Sequence, residues 1–212
     1  LLSLYTSFNH PSFRTNIYNN VSDRLIYPNS TGKTIIDIEK AASISYYKYK
    51  KIYDSVSVNA PYLMSGNLKI MGLSEKTYDL AHPDKKSSAG LTFGRYTNRG
   101  NSIKYYLWLE YLGREISAVI HELAHRWDSL AYVNTGSLIS SDFQKLYDKY
   151  VNSSNRPLRN YSYTNVQEFF ADCVSTYFFK YIDSTYIVDE LSWEYPDDIK
   201  AQVEKYIKLY NT

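Results

Sequence analysis

The sequence is poor in cysteine, proline and glycine, with one, six and eight residues among 212. The single cysteine, Cys173, cannot form a disulfide within the chain, and its isolation excludes a cysteine-ligated zinc cluster and a Cys-x-x-Cys redox site. Cys173 lies in an apolar stretch with helical spacing, so we expect a small buried packing residue. Histidine is also scarce, with four residues, so two that fall close together are informative.

The chain also lacks a strong net charge and long apolar runs. A formal charge of +2 gives no argument for binding nucleic acid or an anionic membrane surface. No apolar run approaches the ~20 residues of a membrane-spanning helix. Residues 1–4 are too short and uncharged to be an intact signal peptide, so we interpret the chain as a trimmed or processed form. We expect a monomer with no nucleic-acid partner and no membrane span.

The residues that are abundant indicate a globular protein. Hydrophobic residues make up 44% of the chain and charged residues 22%, which is typical of a soluble domain with a core. The length of 212 residues suits one domain. We therefore expect a single domain over 1–212, with an N-terminal lobe over about 1–126 and a C-terminal lobe over about 127–212.

The chain contains one recognisable chemical motif, His121-Glu122-Leu123-Ala124-His125, which is the His-Glu-x-x-His pattern of zinc hydrolases. Residues four apart lie one turn apart on the same helix face, so the two imidazoles can converge on one ion. Apolar residues at 116, 119, 120, 123, 127 and 130 predict such a helix. Both histidines lie nearly opposite this apolar stripe and would face a cleft; the alternative is that both are ordinary surface residues.

A catalytic zinc ion keeps three protein ligands and an open position for water, so a third ligand is needed. His10 and His82 lie in polar loops, which disfavours both. Glu168 is the best candidate because it lies on an apolar predicted helix, where a carboxylate is costly to desolvate without a partner. A divalent cation is one such partner, and an arginine or lysine is the structural alternative.

Two further acids complete the predicted site. Asp172 lies four residues after Glu168 on the same helix face. It can accept the second N–H of a zinc-bound histidine and set the tautomer of that ring; a solvated acid on a polar helix face is the alternative. Glu122 is rotated by about 100° from His121, so it can act as the general base. It would take a proton from the zinc-activated water that attacks a peptide carbonyl and deliver it to the leaving amine.

The apolar pattern predicts an α+β fold, with a small mixed sheet in the N-terminal lobe and a mainly helical C-terminal lobe. We expect strands at Arg24–Tyr27, Leu68–Leu73, Leu91–Tyr96 and Ile103–Tyr111, and helices at Thr34–Tyr53, Gly113–Asn134, Asp142–Tyr150, Asn165–Tyr181 and Pro196–Tyr210. The first of these helices would open at Thr34, since Thr34–Asp37 has the form of a capping box.

The strand Ile103–Tyr111 has the clearest alternation of side chains in the chain and leads directly into the motif helix. We expect an edge strand along the cleft, whose free backbone groups could pair with an extended peptide. A sheet strand without a ligand is equally consistent with the pattern. Trp108 and Tyr106 on this strand are candidates for lining a substrate groove.

Two segments, His121–His125 and Tyr-Ser-Tyr-Thr-Asn-Val-Gln-Glu-Phe-Phe-Ala-Asp at 161–172, together resemble the catalytic domain of anthrax lethal factor and the bacterial Pro-Pro endopeptidases. These gluzincins bind one zinc ion through two motif histidines and a downstream glutamate, which Glu168 matches. The resemblance covers about residues 103–179. It implies a zincin-like fold, a secreted bacterial zinc metalloendopeptidase, and a protein or peptide substrate.

The resemblance also assigns a role to a tyrosine. Tyr161 stands seven residues before Glu168, as in the family, and this implies that its phenol donates to the tetrahedral oxyanion. Tyr163 is a weaker candidate. Gln167 stands where the Pro-Pro enzymes carry glutamate, so a preference for proline-containing sites is left open. The alternative function is a non-catalytic lethal-factor-like module that binds a protein partner or peptide in the cleft.

Overall fold

The protein is described by a computed structural model, which covers residues 24–28, 34–39, 43–65, 67–74, 90–95, 98–105, 112–186 and 194–211. Its strands are β1 (Arg24–Pro28), β2 (Thr34–Glu39), β3 (Asn67–Ser74), β4 (Gly90–Arg95) and β5 (Asn98–Tyr105). Its α-helices are α1 (Ser43–Asn59), α2 (Leu112–Thr135), α3 (Gln144–Val151), α4 (Val166–Tyr177) and α5 (Asp197–Tyr210). Short 3-10 helices cover Pro61–Met64, Ser140–Phe143 and Asn160–Tyr163, and a π-helical segment, Phe178–Ile182, follows α4.

The strands pair in the order β1-β2-β3-β5-β4. Strands β2, β3 and β5 are parallel, while β1 and β4 pair antiparallel to β2 and β5. In the antiparallel pair β4–β5, Arg95 lies opposite Asn98. Helix α2, which carries the motif, contacts β4 and β5 as well as α4.

The prediction of a helix beginning at Thr34 is wrong. Residues Thr34–Glu39 form β2, which pairs with β1 and β3, and α1 begins only at Ser43. The segment contains three isoleucines, whose branched side chains favour a strand. A capping box relies on local contacts only, and here pairing on both sides of β2 overrides it.

The predicted fold class, an α+β zincin-like domain with a small mixed sheet and an edge strand along the cleft, is wrong for the residues whose side chains the structure describes continuously. These residues, 51–65, 117–186 and 194–211, are mainly helical and contain no strand. The predicted edge strand Ile103–Tyr111 overlaps β5 at residues 103–105, and β5 has β3 on one side and β4 on the other. Alternation of side chains reveals a strand but not its place in a sheet, because the pattern is the same at an edge and in the interior.

The helices are held together by a core of apolar and aromatic side chains. Helix α2 supplies Val119, Ile120, Leu123 and Trp127, α4 supplies Phe169, Phe170, Cys173 and Val174, and α5 supplies Ile199 and Val203. These positions repeat at helical spacing on each element, and burial on α2 and α4 goes beyond one stripe, because every residue of Ser117–Ala124 and of Phe169–Thr176 is buried. Cys173 is fully buried, which confirms the expected packing role. The central part of the motif helix is therefore packed on all sides.

The predicted helix bounds in this region agree closely with the structure. Helix α2 extends one residue beyond each end of the predicted Gly113–Asn134, and α4 begins immediately after its N-cap residue, Asn165. Among the helices described, none combines the length and apolar character needed to cross a bilayer.

Candidate metal centre

The two motif histidines lie one turn apart on the same face of α2. Their ring centroids are 4.7 Å apart, with the planes nearly perpendicular. The two Nε2 atoms lie 3.1 Å apart. His121 is buried, whereas His125 is partly open. The i, i+4 spacing therefore brings the same atom of each ring to one point.

Glu168 reaches the same point from the first turn of α4. Its Oε2 lies 2.9 Å from Nε2 of His121 and 3.3 Å from Nε2 of His125. The turn is held by Asn165, whose side-chain oxygen accepts the backbone N–H of Glu168 at 2.9 Å. This cap satisfies one of the free donors at the helix start. The packing of α4 against α2 then sets the distance between the carboxylate and the imidazoles.

The three side chains form a group of possible metal ligands whose donor atoms all lie within 4.8 Å of one another. Two imidazole nitrogens and a carboxylate oxygen are a donor set that zinc accepts. Ligands of a tetrahedral zinc ion are about 3.3 Å apart, and the three distances given above are 3.1, 2.9 and 3.3 Å. By donor chemistry and spacing, the residues fit a zinc ion.

The electrostatics of the group point the same way. Burial alone would lower the pKa of His121, but hydrogen bonds to Asp172 and Glu168 outweigh this effect and raise the pKa. Burial alone would raise the pKa of Glu168, but hydrogen bonds from both histidines lower it well below its usual range. The protein thus concentrates negative charge around His121 and favours a cation there, whether a proton or a metal ion.

Asp172 binds the far side of the His121 ring. Its Oδ1 lies 2.8 Å from Nδ1 of His121. A proton on Nδ1 leaves Nε2 free to act as a ligand, so this contact selects the tautomer that metal binding needs. Asp172 is 2% exposed. Burial alone would raise its pKa, but hydrogen bonds from His121 and Arg159 lower it well below the usual value.

Two partners of Asp172 were not predicted from the sequence. Arg159 donates to both carboxylate oxygens, and Ser162 donates to Oδ2 at 2.6 Å. From the sequence, an arginine or lysine is expected as an alternative partner of Glu168, but none is expected for Asp172. The sequence does contain an indication of this partner. A buried acid beside a metal site needs several hydrogen-bond donors, and Arg159 stands two positions before Tyr161.

Glu122 is buried beside His121, with 7% of its surface exposed. Its negative charge contributes to the raised pKa of His121 and to that of Tyr161. The carboxylate therefore lies within electrostatic reach of both side chains.

Tyr161 lies on the 3-10 helix Asn160–Tyr163, at the open side of the cluster. Its side chain is half-exposed, and its ring centroid is 6.0 Å from that of His121. Burial raises its pKa, and the charge of Glu168 and a hydrogen bond with that carboxylate raise it further. The phenol thus keeps its proton and can donate it to an anionic acceptor.

Tyr163, the weaker candidate, points into the core instead. It is buried against Phe169, and its hydroxyl accepts the backbone N–H of Leu158 at 3.3 Å. The structure therefore brings His121, His125, Glu168 and Asp172 together with Glu122 and Tyr161. The predicted groove residues Trp108 and Tyr106, and the disfavoured histidines His10 and His82, lie outside the described residues.

Comparison with known proteins adds no relative. No protein-family model matches the chain, and no curated protein matches it.

Proposed function

We propose that this protein is a zinc metalloendopeptidase. The observation that carries the proposal is the convergence of Nε2 of His121, Nε2 of His125 and Oε2 of Glu168 within 4.8 Å, with Asp172 bonded to the far side of His121. If these residues had only a structural role, the spacing of the three donor atoms, the acid that selects the tautomer of His121 and the nearby Glu122 carboxylate would all have to coincide by chance. The resemblance of residues 121–125 and 161–172 to gluzincins supports the same class.

In this proposal, His121, His125 and Glu168 hold the zinc ion. When bound, zinc supplies a Lewis acid that polarises a peptide carbonyl and makes water a stronger acid. Asp172 keeps a proton on Nδ1 of His121 and so keeps Nε2 available as a ligand. In this proposal a substrate approaches from the side of Tyr161, whose side chain is half-exposed.

Glu122 and Tyr161 move and stabilise charge. Glu122 accepts the proton that the attacking water loses, and it returns that proton to the amine as the carbon–nitrogen bond breaks. The phenol of Tyr161 turns from Glu168 to the substrate oxygen and donates a hydrogen bond as negative charge develops there. Its raised pKa keeps the phenol protonated at neutral pH.

The substrate is proposed to be a protein or extended peptide outside the cell, since the resembling enzymes are secreted bacterial proteases. The Pro-Pro members prefer proline on both sides of the cleaved bond, and Gln167 departs from their pattern. We therefore propose cleavage of peptides without committing to a proline preference.

Two measurements test the proposal. Metal analysis of the purified protein should find about one zinc ion per chain, as expected for three protein ligands with an open position. A peptide library that includes proline-containing sequences should be cleaved, and a chelator should abolish cleavage until zinc is restored. Less than half an equivalent of zinc, or bound zinc without cleavage of any peptide, would contradict the proposed activity.

A further inference from the structure

Arg159 contacts both the acid that orients His121 and the tyrosine that faces the open side of the site. Its Nε donates to Oδ2 of Asp172, and its Nη2 donates to Oδ1, both at 2.8 Å. Its guanidinium carbon lies 5.3 Å from the centre of the Tyr161 ring. One side chain thus lies between two parts of the candidate site that come from different elements.

The two donors of Arg159 hold the Asp172 carboxylate as a fork. A bidentate pair fixes the plane of a carboxylate as well as its position. Oδ1 of Asp172 accepts at the same time from Nδ1 of His121, at 2.8 Å. The direction in which Nε2 of His121 points therefore depends, through one oxygen atom, on Arg159.

The backbone at Arg159 helps to position the second part of the site, the 3-10 helix that carries Tyr161. Arg159 is extended, with φ −61° and ψ 157°, and it caps the start of the 3-10 helix Asn160–Tyr163. Its carbonyl oxygen accepts the backbone N–H of Ser162 at 3.0 Å. The Ser162 hydroxyl in turn donates to Oδ2 of Asp172. The turn that carries Tyr161 is consequently tied to Asp172 on both sides of the tyrosine.

We propose that Arg159 is a positioning residue that sets the orientation of His121 and the placement of Tyr161 together; this inference rests on the proposed zinc peptidase function. We do not propose Arg159 as a catalytic residue, because its Nε and Nη2 are directed at Asp172. The guanidinium lies against the Tyr161 face, where a cation is attracted to the ring. It therefore restricts the phenol while holding the acid behind the ligand.

A plain salt bridge that stabilises the fold is the competing explanation, and a matched arginine separates the two. Arg156 also packs its guanidinium over a tyrosine, 4.9 Å from the Tyr163 ring, and donates to the carbonyl of Val151. It contacts neither Asp172 nor Tyr161 in the bonds described. Arg156→Gln therefore removes an equivalent cation from the same segment without touching the coupling.

The experiment compares Arg159→Gln, Arg159→Lys and Arg156→Gln with the wild-type protein. Zinc affinity is measured by competition with a chelator, and kcat and KM are measured at saturating zinc. Loss of an outer partner of a metal-bound histidine costs about 10- to 100-fold in affinity, so we expect that loss in Arg159→Gln. We also expect kcat of Arg159→Gln to remain below that of the wild-type protein when zinc is saturating, with little change in KM. Arg159→Lys keeps the positive charge but cannot form the bidentate pair with Asp172. Its zinc affinity and kcat should therefore lie between those of the wild-type protein and Arg159→Gln.

Each outcome decides the inference. Arg159→Gln with the zinc affinity and kcat of Arg156→Gln would overturn it while leaving the peptidase proposal intact. Wild-type protein that binds zinc but cleaves nothing would remove the peptidase proposal, and the affinity difference would still decide the role toward His121. Wild-type protein without zinc affinity would overturn both. If Arg159→Gln does not fold, the same comparison is made with Arg159→Lys.

Discussion

Oδ1 of Asp172 lies 2.8 Å from Nδ1 of His121, on the side of the imidazole ring away from His125 and Glu168. A buried carboxylate at this position selects one tautomer of the ring, and that tautomer exposes Nε2 to the other two donors. The contact joins α2 to α4 in addition to the apolar packing between them. Fold and candidate chemistry therefore depend on the same pair of helices.

Replacing this acid should weaken metal binding. In Asp172→Asn, one oxygen is replaced by an amide nitrogen that cannot accept from His121 or Arg159. We expect zinc affinity to fall by about 10- to 100-fold, measured by chelator competition. Asp148→Asn is the control, because Asp148 is an exposed partner of Gln144 on α3. Equal affinities in the two variants would show that Asp172 does not support the ligand.

Removing the proposed base should separate binding from catalysis. Glu122→Gln keeps the shape of the side chain but cannot accept a proton, so we expect peptide cleavage to fall by about 10²- to 10⁴-fold. Zinc content should not change, because Glu122 is not one of the three clustered donors. Glu204→Gln on the exposed side of α5 serves as the control. Cleavage by Glu122→Gln at the control rate would exclude Glu122 as the base.

The two tyrosines of the 3-10 helix should behave differently. Tyr161→Phe removes a half-exposed phenol at the cluster, and losing one oxyanion donor costs about 10²- to 10³-fold in kcat. Tyr163→Phe removes a buried hydroxyl that accepts from Leu158, so it should lower stability and leave kcat nearly unchanged. Steady-state kinetics and thermal unfolding of both variants test this contrast. Similar kcat values for the two would contradict a role for Tyr161 in the oxyanion.

The site could be predicted from the sequence better than the fold, for a physical reason. His121 and His125 are related by helical spacing alone, and Glu168 and Asp172 share a helix whose apolar stripe is obvious. Local periodicity therefore determines most of the ligand geometry once two helices pack. The place of β5 inside the sheet depends on pairing with the distant strand β3 as well as with its sequence neighbour β4, and no local pattern records the pairing with β3.

Arg159 and Ser162 show a second limit. Both belong to a short turn without hydrophobic periodicity, so nothing local indicates which way their side chains point. Their roles depend on contact with Asp172, and only the folded chain brings the turn and Asp172 together. A buried acid predicts that donors must exist, but it does not say which residues supply them.

The raised pKa of His121 predicts how the stability of the metal-free protein depends on pH. Its pKa rises from 6.5 to about 10, since hydrogen bonds to Asp172 and Glu168 outweigh burial. A raised pKa in the folded state stabilises the protein fully below pH 6.5, and this contribution disappears as pH rises toward 10. Denaturant titrations in a chelator should show unfolding free energy falling over this range. In His121→Gln, the unfolding free energy should fall less over this pH range than it does in the wild-type protein.

The carboxylates set the acidic side of the same profile. The pKa values of Glu168 and Asp172 are lowered from 4.5 and 3.8, so their contribution is present above those values and is lost as the pH falls below them. The cluster therefore stabilises the metal-free protein most between about pH 4.5 and 6.5. Glu168→Gln should reduce the loss of stability below pH 4.5, measured in the same titrations. If Glu168→Gln lost as much unfolding free energy below pH 4.5 as the wild-type protein, this would contradict the lowered pKa of Glu168.

Zinc binding should displace the same proton. Above pH 6.5 the metal-free protein still holds a proton that the liganding form of His121 must give up, because its pKa is raised. Calorimetric titrations at pH 8 in buffers of different ionisation enthalpy should detect about one proton released per zinc ion, and affinity should increase from pH 6.5 to 9. Zinc binding without proton release and with pH-independent affinity would show that His121 is already neutral, and that Asp172 and Glu168 do not hold a cation on this ring.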